Sequence, residues 1–263
     1  MIQTVLSTGS TNADLAARLT GHERVTEGDW LVTDRQTAGK GRQGRAWFDG
    51  AGNFMGSTVV RPAPTDPAPG TLALVAGLAV LEAAAQFVPP PHLPQLKWPN
   101  DILIGGAKLC GVLLERVSDA VVIGIGVNLA AAPAVEGRTT IALSQFGPAP
   151  DRDTFAAALA WQFDLELERW RSFGLEPLLR RWQAAAHPIG TPLLLGEPGE
   201  TPLAGSFAVC EPQLQGSIGG QPGKGSGQRC FARLTQQQRG ANRVRSSLPA
   251  AQQRLQPEAA PAL

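Results

Sequence analysis

Residues 36–47 read "QTAGKGRQGRAW", and their glycines, Gly39, Gly41 and Gly44, complete the spacing G-x-G-x-x-G. Placed after a strand and opening a helix, that spacing would make the chain a doubly wound dinucleotide-binding fold. Only the first condition is met. "DWLVTDRQ" (29–36) is strand-like, but "RAWFDGAGNF" (45–54) puts an aromatic pair, an Asp and two glycines where the helix should begin. The acidic residue expected about twenty positions on would fall in "VVRPAP" (59–64), which has none. What remains is a loop that interleaves Lys40, Arg42 and Arg45 with glycines. Its backbone N–H groups can approach an anion closely, and its side chains can neutralise phosphate or carboxylate.

Outward from this loop, the pattern is that of an α+β chain. "TVL" (4–6) predicts a short strand, and Ser10-Thr11-Asn12 follows it, with Thr11 and Asp14 spaced as a capping box for a helix to Leu19. "NFMGSTVVR" (53–61) predicts a strand, 71–87 an Ala/Leu-rich buried helix, and 151–173 and 176–186 amphipathic helices. "LKWPNDILI" (96–104), "AKLCGVLLER" (107–116) and "AVVIGIGVNL" (120–129) predict strands joined by short turns, hence antiparallel neighbours. Together these predict a mixed, mostly antiparallel sheet flanked by helices over residues 1–188. "TPLLLG" (191–196) and "PLAGSFA" (202–208) open a small β unit over 189–208. Beyond it, 209–263 holds ten Gln, no Asp and neither hydrophobic period, so it reads as a disordered tail. The abrupt change in composition matches a shift of reading frame.

Composition excludes several classes of function. The net charge of +1 gives no global pull toward nucleic acid or anionic lipid. Residues 1–200 carry 16 Lys+Arg against 20 Asp+Glu, and no basic stripe interleaved with aromatics is present, which argues against a nucleic-acid binder using the loop and the basic tail. Cys110, Cys210 and Cys230 form neither a disulfide framework nor a zinc motif, as expected in a reducing cytoplasm. The N-terminus lacks a signal peptide's basic and apolar regions, and Glu82 interrupts the longest apolar run. No membrane association is expected. Histidines 22, 92 and 187 read as surface loop residues.

Three further motifs carry chemistry. In "LKWPND" (96–101), Pro99 forces a bend at which Lys97, Asn100 and Asp101 converge. Lys97 can meet a phosphate, and Asn100 and Asp101 offer oxygens suited to Mg²⁺ or to a nucleotide. "KLCG" (108–111) sets Lys108 on a strand ahead of a glycine, and "GIGVN" (124–128) ends an apolar strand with two glycines and Asn128, open to a flat ligand.

Ser10-Thr11-Asn12, "GKGRQGRAW", "KWPND", "KLCG" and "GIGVN", in this order and spacing, resemble the catalytic domain of the biotin–protein ligases, over residues 5–205. The resemblance implies a class II aminoacyl-tRNA synthetase-like fold and ATP-dependent formation of biotinyl-5′-AMP. It further implies transfer of biotin to a lysine of the biotin carboxyl carrier protein of acetyl-CoA carboxylase. It implies biotin contacts from Ser10, Thr11, Asn12, Gln36, Lys40, Gly41, Arg42 and Lys108. Arg45, Trp47, Lys97, Asn100, Asp101 and Asn128 would bind ATP, with Trp47 near adenine and Asp101 toward Mg²⁺. Arg42, Lys97 and Lys108 would act at the reacting centre. ATP and Mg²⁺ are the implied cofactors, biotin the substrate, and a monomer or homodimer the implied assembly. No helix-turn-helix is visible ahead of Ser10, so DNA is not an expected partner. Two departures stand out: Lys40 replaces the family's usual Arg, and the SH3-like β domain that usually follows is traceable only to 208. A lipoate or octanoyl transferase of the same fold, and a biotin-binding module without full turnover, are the rival readings.

Overall fold

In the computed structural model, strand "AVVIGIGV", β7 (Ala120–Val127), lies at the centre of a seven-stranded sheet. The strands run β1 (Ile2–Thr8), β2 (Trp30–Gln36), β3 (Phe54–Val60), β7, β6 (Ala107–Val117), β5 (Asp101–Ile104) and β4 (Pro94–Lys97). The structure describes residues 1–188, 190–195, 203–207 and 232–234. Only β1 and β2 are parallel, linked by a crossover through α1 (Thr11–Thr20), and every other pair in this sheet is antiparallel. A mixed, mostly antiparallel sheet flanked by helices is therefore what the chain forms.

Period-2 alternation assigns the two faces. Phe54 of β3 pairs with Val127 of β7, and on that side Trp30 meets Phe163, and Phe54 meets Phe155, with ring centroids 5.5 and 5.7 Å apart. Both phenylalanines belong to α3 (Arg152–Phe173), whose buried Phe155, Leu159, Phe163, Leu167 and Trp170 recur at helical spacing. Helix α2 (Leu72–Ala85) is apolar nearly all round and buries ten residues, as a helix packed against both the sheet and another helix must. Glu166, fully buried in α3, bonds Arg169 and also Arg181 of α4 (Leu175–Ala185), tying the two helices together. The opposite face carries α1, where Leu15 packs with Leu31, Val59, Ala120 and Val122.

Several expectations need correction. Residues 96–104 form two strands, because the turn at the cis Trp98–Pro99 peptide folds β4 back on β5 and pairs Lys97 with Asp101. The capping box is not formed: Ser10, one residue earlier, is the N-cap and accepts from Ala13 N at 3.5 Å, Ala13 has no polar side chain to return the bond, and the Asp14 carboxylate accepts from Thr8 Oγ1 instead. His187 is half-buried rather than a surface residue. Among the described residues no helix is long and apolar enough to cross a membrane.

The first compact unit spans Met1–His187, and a second begins at Pro188. In the second, β8 (Pro192–Leu195) and β10 (Ala232–Leu234) flank β9 (Leu203–Phe207), all antiparallel. Strand β10 comes from the stretch in which the sequence shows no strand pattern. The rest of the tail expected to be disordered lies outside the described residues.

Candidate functional site

The face that carries α1 is unusually bare beside that helix. Gly111 of β6 pairs with Gly126 of β7, and Gly124 lies two residues away on the same face. The missing side chains make room for neighbours. A Cβ on Gly126 would stand 2.2 Å from Trp47 Cε2, one on Gly111 2.9 Å from Trp47 Cζ3, and one on Gly124 2.3 Å from Asn12 Oδ1. The Trp47 indole thus rests against a glycine floor.

A fault in the strand pairing brings the reactive side chains to this floor. Asp101 pairs with Gly111 and Ile102 with Cys110, but Leu103 pairs with Lys108, so β6 carries one extra residue. Strict alternation would send Lys108 and Gly111 to opposite faces; the bulge returns Lys108 to the face of Asp101 and Gly111. There Lys108 Nζ donates to Asp101 Oδ1 at 2.6 Å and lies 5.6 Å from the Trp47 ring centroid, with both side chains of the pair about five-sixths buried (15% and 16% exposed). Lys97, Asp101, Gly111, Gly126 and Met55 pair successively across five strands. Burial, with Lys97 adding to it, pushes the imidazole of His187 below its ordinary value. Behind the floor, burial pushes the Cys110 thiol far up, so it is no nucleophile.

The glycine-rich loop is a small hairpin. Trp47 N donates to Gly39 O, Gly41 N donates to Arg45 O, and Lys40 bridges Ala46. A single 3₁₀ turn, Arg42–Gly44, forms its tip, so no helix is present to receive a dinucleotide pyrophosphate. Gly44 is required by its φ of +71°, and Gly39 by close approach, since a Cβ there would lie 2.4 Å from Gln36 Nε2. Arg42 Nη1 donates to Asn100 Oδ1 at 3.2 Å, joining the hairpin tip to the β4–β5 turn. Arg45 donates to Gln43. Lys40, Arg42 and Arg45 have no carboxylate partner among the described residues.

At the other end, Thr11 N donates to Gln36 Oε1 at 3.0 Å, and Thr11 Oγ1 lies 2.6 Å from Ser57 Oγ. Asn12 Nδ2 donates to Glu115 Oε2 and its Oδ1 accepts from Ser57. Ser10 serves as helix cap beside them. The Gln36 backbone is fixed through its N–H to Asp49 Oδ1 at 2.8 Å. Asn128 directs its amide N–H to the carbonyls of Lys108 and Ile141, and so clamps the segment after β7 to β6. Ser57, Glu115 and Asp49 escaped the sequence reading. Ser57 and Glu115 sit in strands and Asp49 in the loop before β3, none of them in a motif, and only the tertiary pairing shows what each meets.

The model of the biotin/lipoate A/B protein ligase family matches residues 7–128. The biotin–[acetyl-CoA-carboxylase] ligase of Paracoccus denitrificans is 38% identical over 206 residues, which are 71% of this chain and 81% of that protein. The ligase of the same name from Mycobacterium tuberculosis is 36% identical over 208 residues, 78% of this chain and 77% of its own length. The biotin protein ligase from Aquifex aeolicus, solved in complex with biotin and ATP, is similar with a TM-score of 0.67 at 26% identity, covering 79% of this chain and 88% of that one.

Proposed function

Because the chain belongs to the biotin/lipoate A/B protein ligase family, we propose that the floor between Thr11 and Lys97 is the active site of an ATP-dependent biotin–protein ligase. In the first step the biotin carboxylate attacks the α-phosphate of ATP, a new P–O bond forms, and pyrophosphate leaves. In the second, a lysine amine of a biotin carboxyl carrier protein attacks the acyl carbon of biotinyl-5′-AMP. The amide forms, AMP departs and the amine loses a proton.

The chemistry sets two demands. An anion must approach a polyanion, which requires cations that are preorganised in a site shielded from water. Lys108, Lys97 and the hairpin cations Lys40, Arg42 and Arg45 meet this demand, with Lys108 beside the biotin carboxylate and Lys97 toward the phosphates. The mixed anhydride must also be kept from water. The hairpin with Gly41 at its neck would cover it, held through Arg42 to Asn100. Trp47 would yield the glycine floor to the acyl adenylate and pack near its adenine, with Asn128 at that end.

Mg²⁺ comes with ATP as substrate. Among the described residues no group of three His, Cys, Asp or Glu could hold a resident metal ion, and one carboxylate beside substrate phosphates suits Mg²⁺. Asp101 is that carboxylate.

The observation that carries biotin over lipoate is the polar pocket at Thr11, Asn12 and Gln36. Biotin's ureido ring has N–H and C=O groups to match it; a dithiolane has neither. A soluble cytoplasmic enzyme, monomeric or homodimeric and without a DNA partner, completes the proposal. Incubation with ATP, Mg²⁺, biotin and an apo carrier domain should add the mass of one biotinyl group to the carrier. Pyrophosphate release without transfer would confine the chain to the first step. Modification with lipoate but not with biotin would refute the substrate assignment.

A further inference from the structure

Thr11 and Gln36 are oriented by a chain of hydrogen bonds that ends at Glu115, outside the pocket. The direction of each bond follows from its neighbour. Glu115 Oε2 accepts from Asn12 Nδ2 at 2.6 Å. An ionised carboxylate can only accept, so it turns the carboxamide NH₂ toward itself and Oδ1 away. That oxygen accepts from Ser57 Oγ at 2.6 Å, which commits the only proton of the serine hydroxyl. Thr11, whose Oγ1 lies 2.6 Å from Ser57 Oγ, must therefore be the donor of that pair. Its longer contact with Gln36 Oε1, at 3.2 Å, cannot use the same proton. Gln36 Oε1 accepts instead from Thr11 N, which leaves its Nε2 on the side of Gly39.

The outcome is a pocket of defined polarity. Thr11 Oγ1 offers lone pairs, and Gln36 Nε2 offers N–H with no acceptor among the described residues. The complementary ligand carries an N–H donor next to a carbonyl acceptor, as a cyclic urea does. We propose that Glu115 is a positioning residue: through Asn12 and Ser57 it sets the donor–acceptor polarity of the pocket and so selects a cyclic urea. This rests on the biotin reading above and adds to it a residue that need not touch the ligand.

Glu115 is exposed on β6, so replacing it leaves the core intact. Lys at 115 is a donor. It would turn Asn12 Oδ1 outward and Nδ2 toward Ser57, so that Ser57 donates to Thr11 Oγ1, takes up a lone pair otherwise open to the ligand N–H, and frees the Thr11 proton into the pocket beside Gln36 Oε1. In steady-state pyrophosphate release, E115K should raise the KM for biotin about ten- to hundred-fold, as expected when a buried donor faces a donor. The KM for ATP and the melting temperature should stay at wild-type values. E115Q keeps an acceptor at 115 and should hold the biotin KM within about three-fold. S57A, which breaks the chain in the middle, should likewise raise the biotin KM alone. An E115K biotin KM equal to that of E115Q, or a parallel rise in the KM for ATP, would overturn the positioning role. Failure of the wild-type chain to saturate with biotin would overturn the biotin reading and the inference with it.

Discussion

Adding one methyl group to the glycine floor should separate folding from ligand binding. In Gly126→Ala the new Cβ would stand 2.2 Å from Trp47 Cε2, 2.4 Å from Cζ2 and 2.5 Å from Nε1. Carbon atoms in contact sit about 3.5–4.0 Å apart, so the indole must withdraw by about 1.5 Å. The strand tolerates the change, because Gly126 is not among the residues with positive φ and Ala is about 0.5–1 kcal/mol better than Gly inside a strand. Against that gain stands the lost packing of a half-buried Trp47, on the order of 1–2 kcal/mol when scaled from full aromatic truncation. The net change is about 1 kcal/mol, and at about 2–4 °C per kcal/mol the melting temperature should fall by less than about 5 °C. Activity should respond quite differently. A methyl on the floor displaces the ligand by about 1 Å, and such a misplacement costs about 100-fold in the chemical step. Gly111→Ala, whose nearest Trp47 atom would be 2.9 Å away, should show the same effect in milder form. Calorimetry and biotin-dependent pyrophosphate release measure the two quantities on one sample. Wild-type kcat/KM in Gly126→Ala would refute the assignment of this face as the ligand floor.

Two more predictions concern the hairpin and the scaffold. Arg42→Glu breaks the 3.2 Å bond to Asn100 and reverses a cation on the proposed lid, so biotinyl-AMP should escape into solution faster than it is transferred; tight retention of the adenylate on gel filtration would contradict the lid. Glu27 pairs bidentately with Arg171 of α3 and accepts from the Arg61 backbone N–H. Burial alone would raise its carboxyl, but these partners outweigh burial and hold it below its ordinary value. The stability it confers is thus fully present above the unfolded carboxylate value of about 4.3 and is lost as pH falls through the lower folded-state value. Glu27→Gln should flatten the acid limb of a melting temperature–pH profile, and an unchanged slope there would remove Glu27 from the linkage.

The family was legible through the resemblance its ordered motifs carry, and the floor of the proposed site because it rests on local composition. "GIGVN" and "KLCG" announce strands whose small residues leave space, and the aromatic pair after Gly44 rules out the dinucleotide helix without reference to any distant residue. The helices were legible for the same reason, since Phe155, Leu159 and Phe163 repeat at one-turn spacing. Ser57 and Glu115 were not. A strand pattern places a residue on a face, but the partner across the sheet is set by register, and register depends on the whole sheet.

The amino-acid sequence by itself determined most element types and the cation-bearing loop, because propensity, periodicity and charge are properties of neighbouring residues, and its motifs carried the resemblance to the biotin–protein ligases. Tertiary structure alone decided how those residues meet. The bulge in β6 puts Lys108 beside Asp101, the β4–β5 turn brings Asn100 to Arg42, and the sheet register stacks Trp47 on Gly126 and points Asn12 at Glu115. All but the Lys108–Asp101 pair, which is seven residues apart, join segments far apart in the chain, and a one-residue slip in strand pairing would turn the same side chains to the other face.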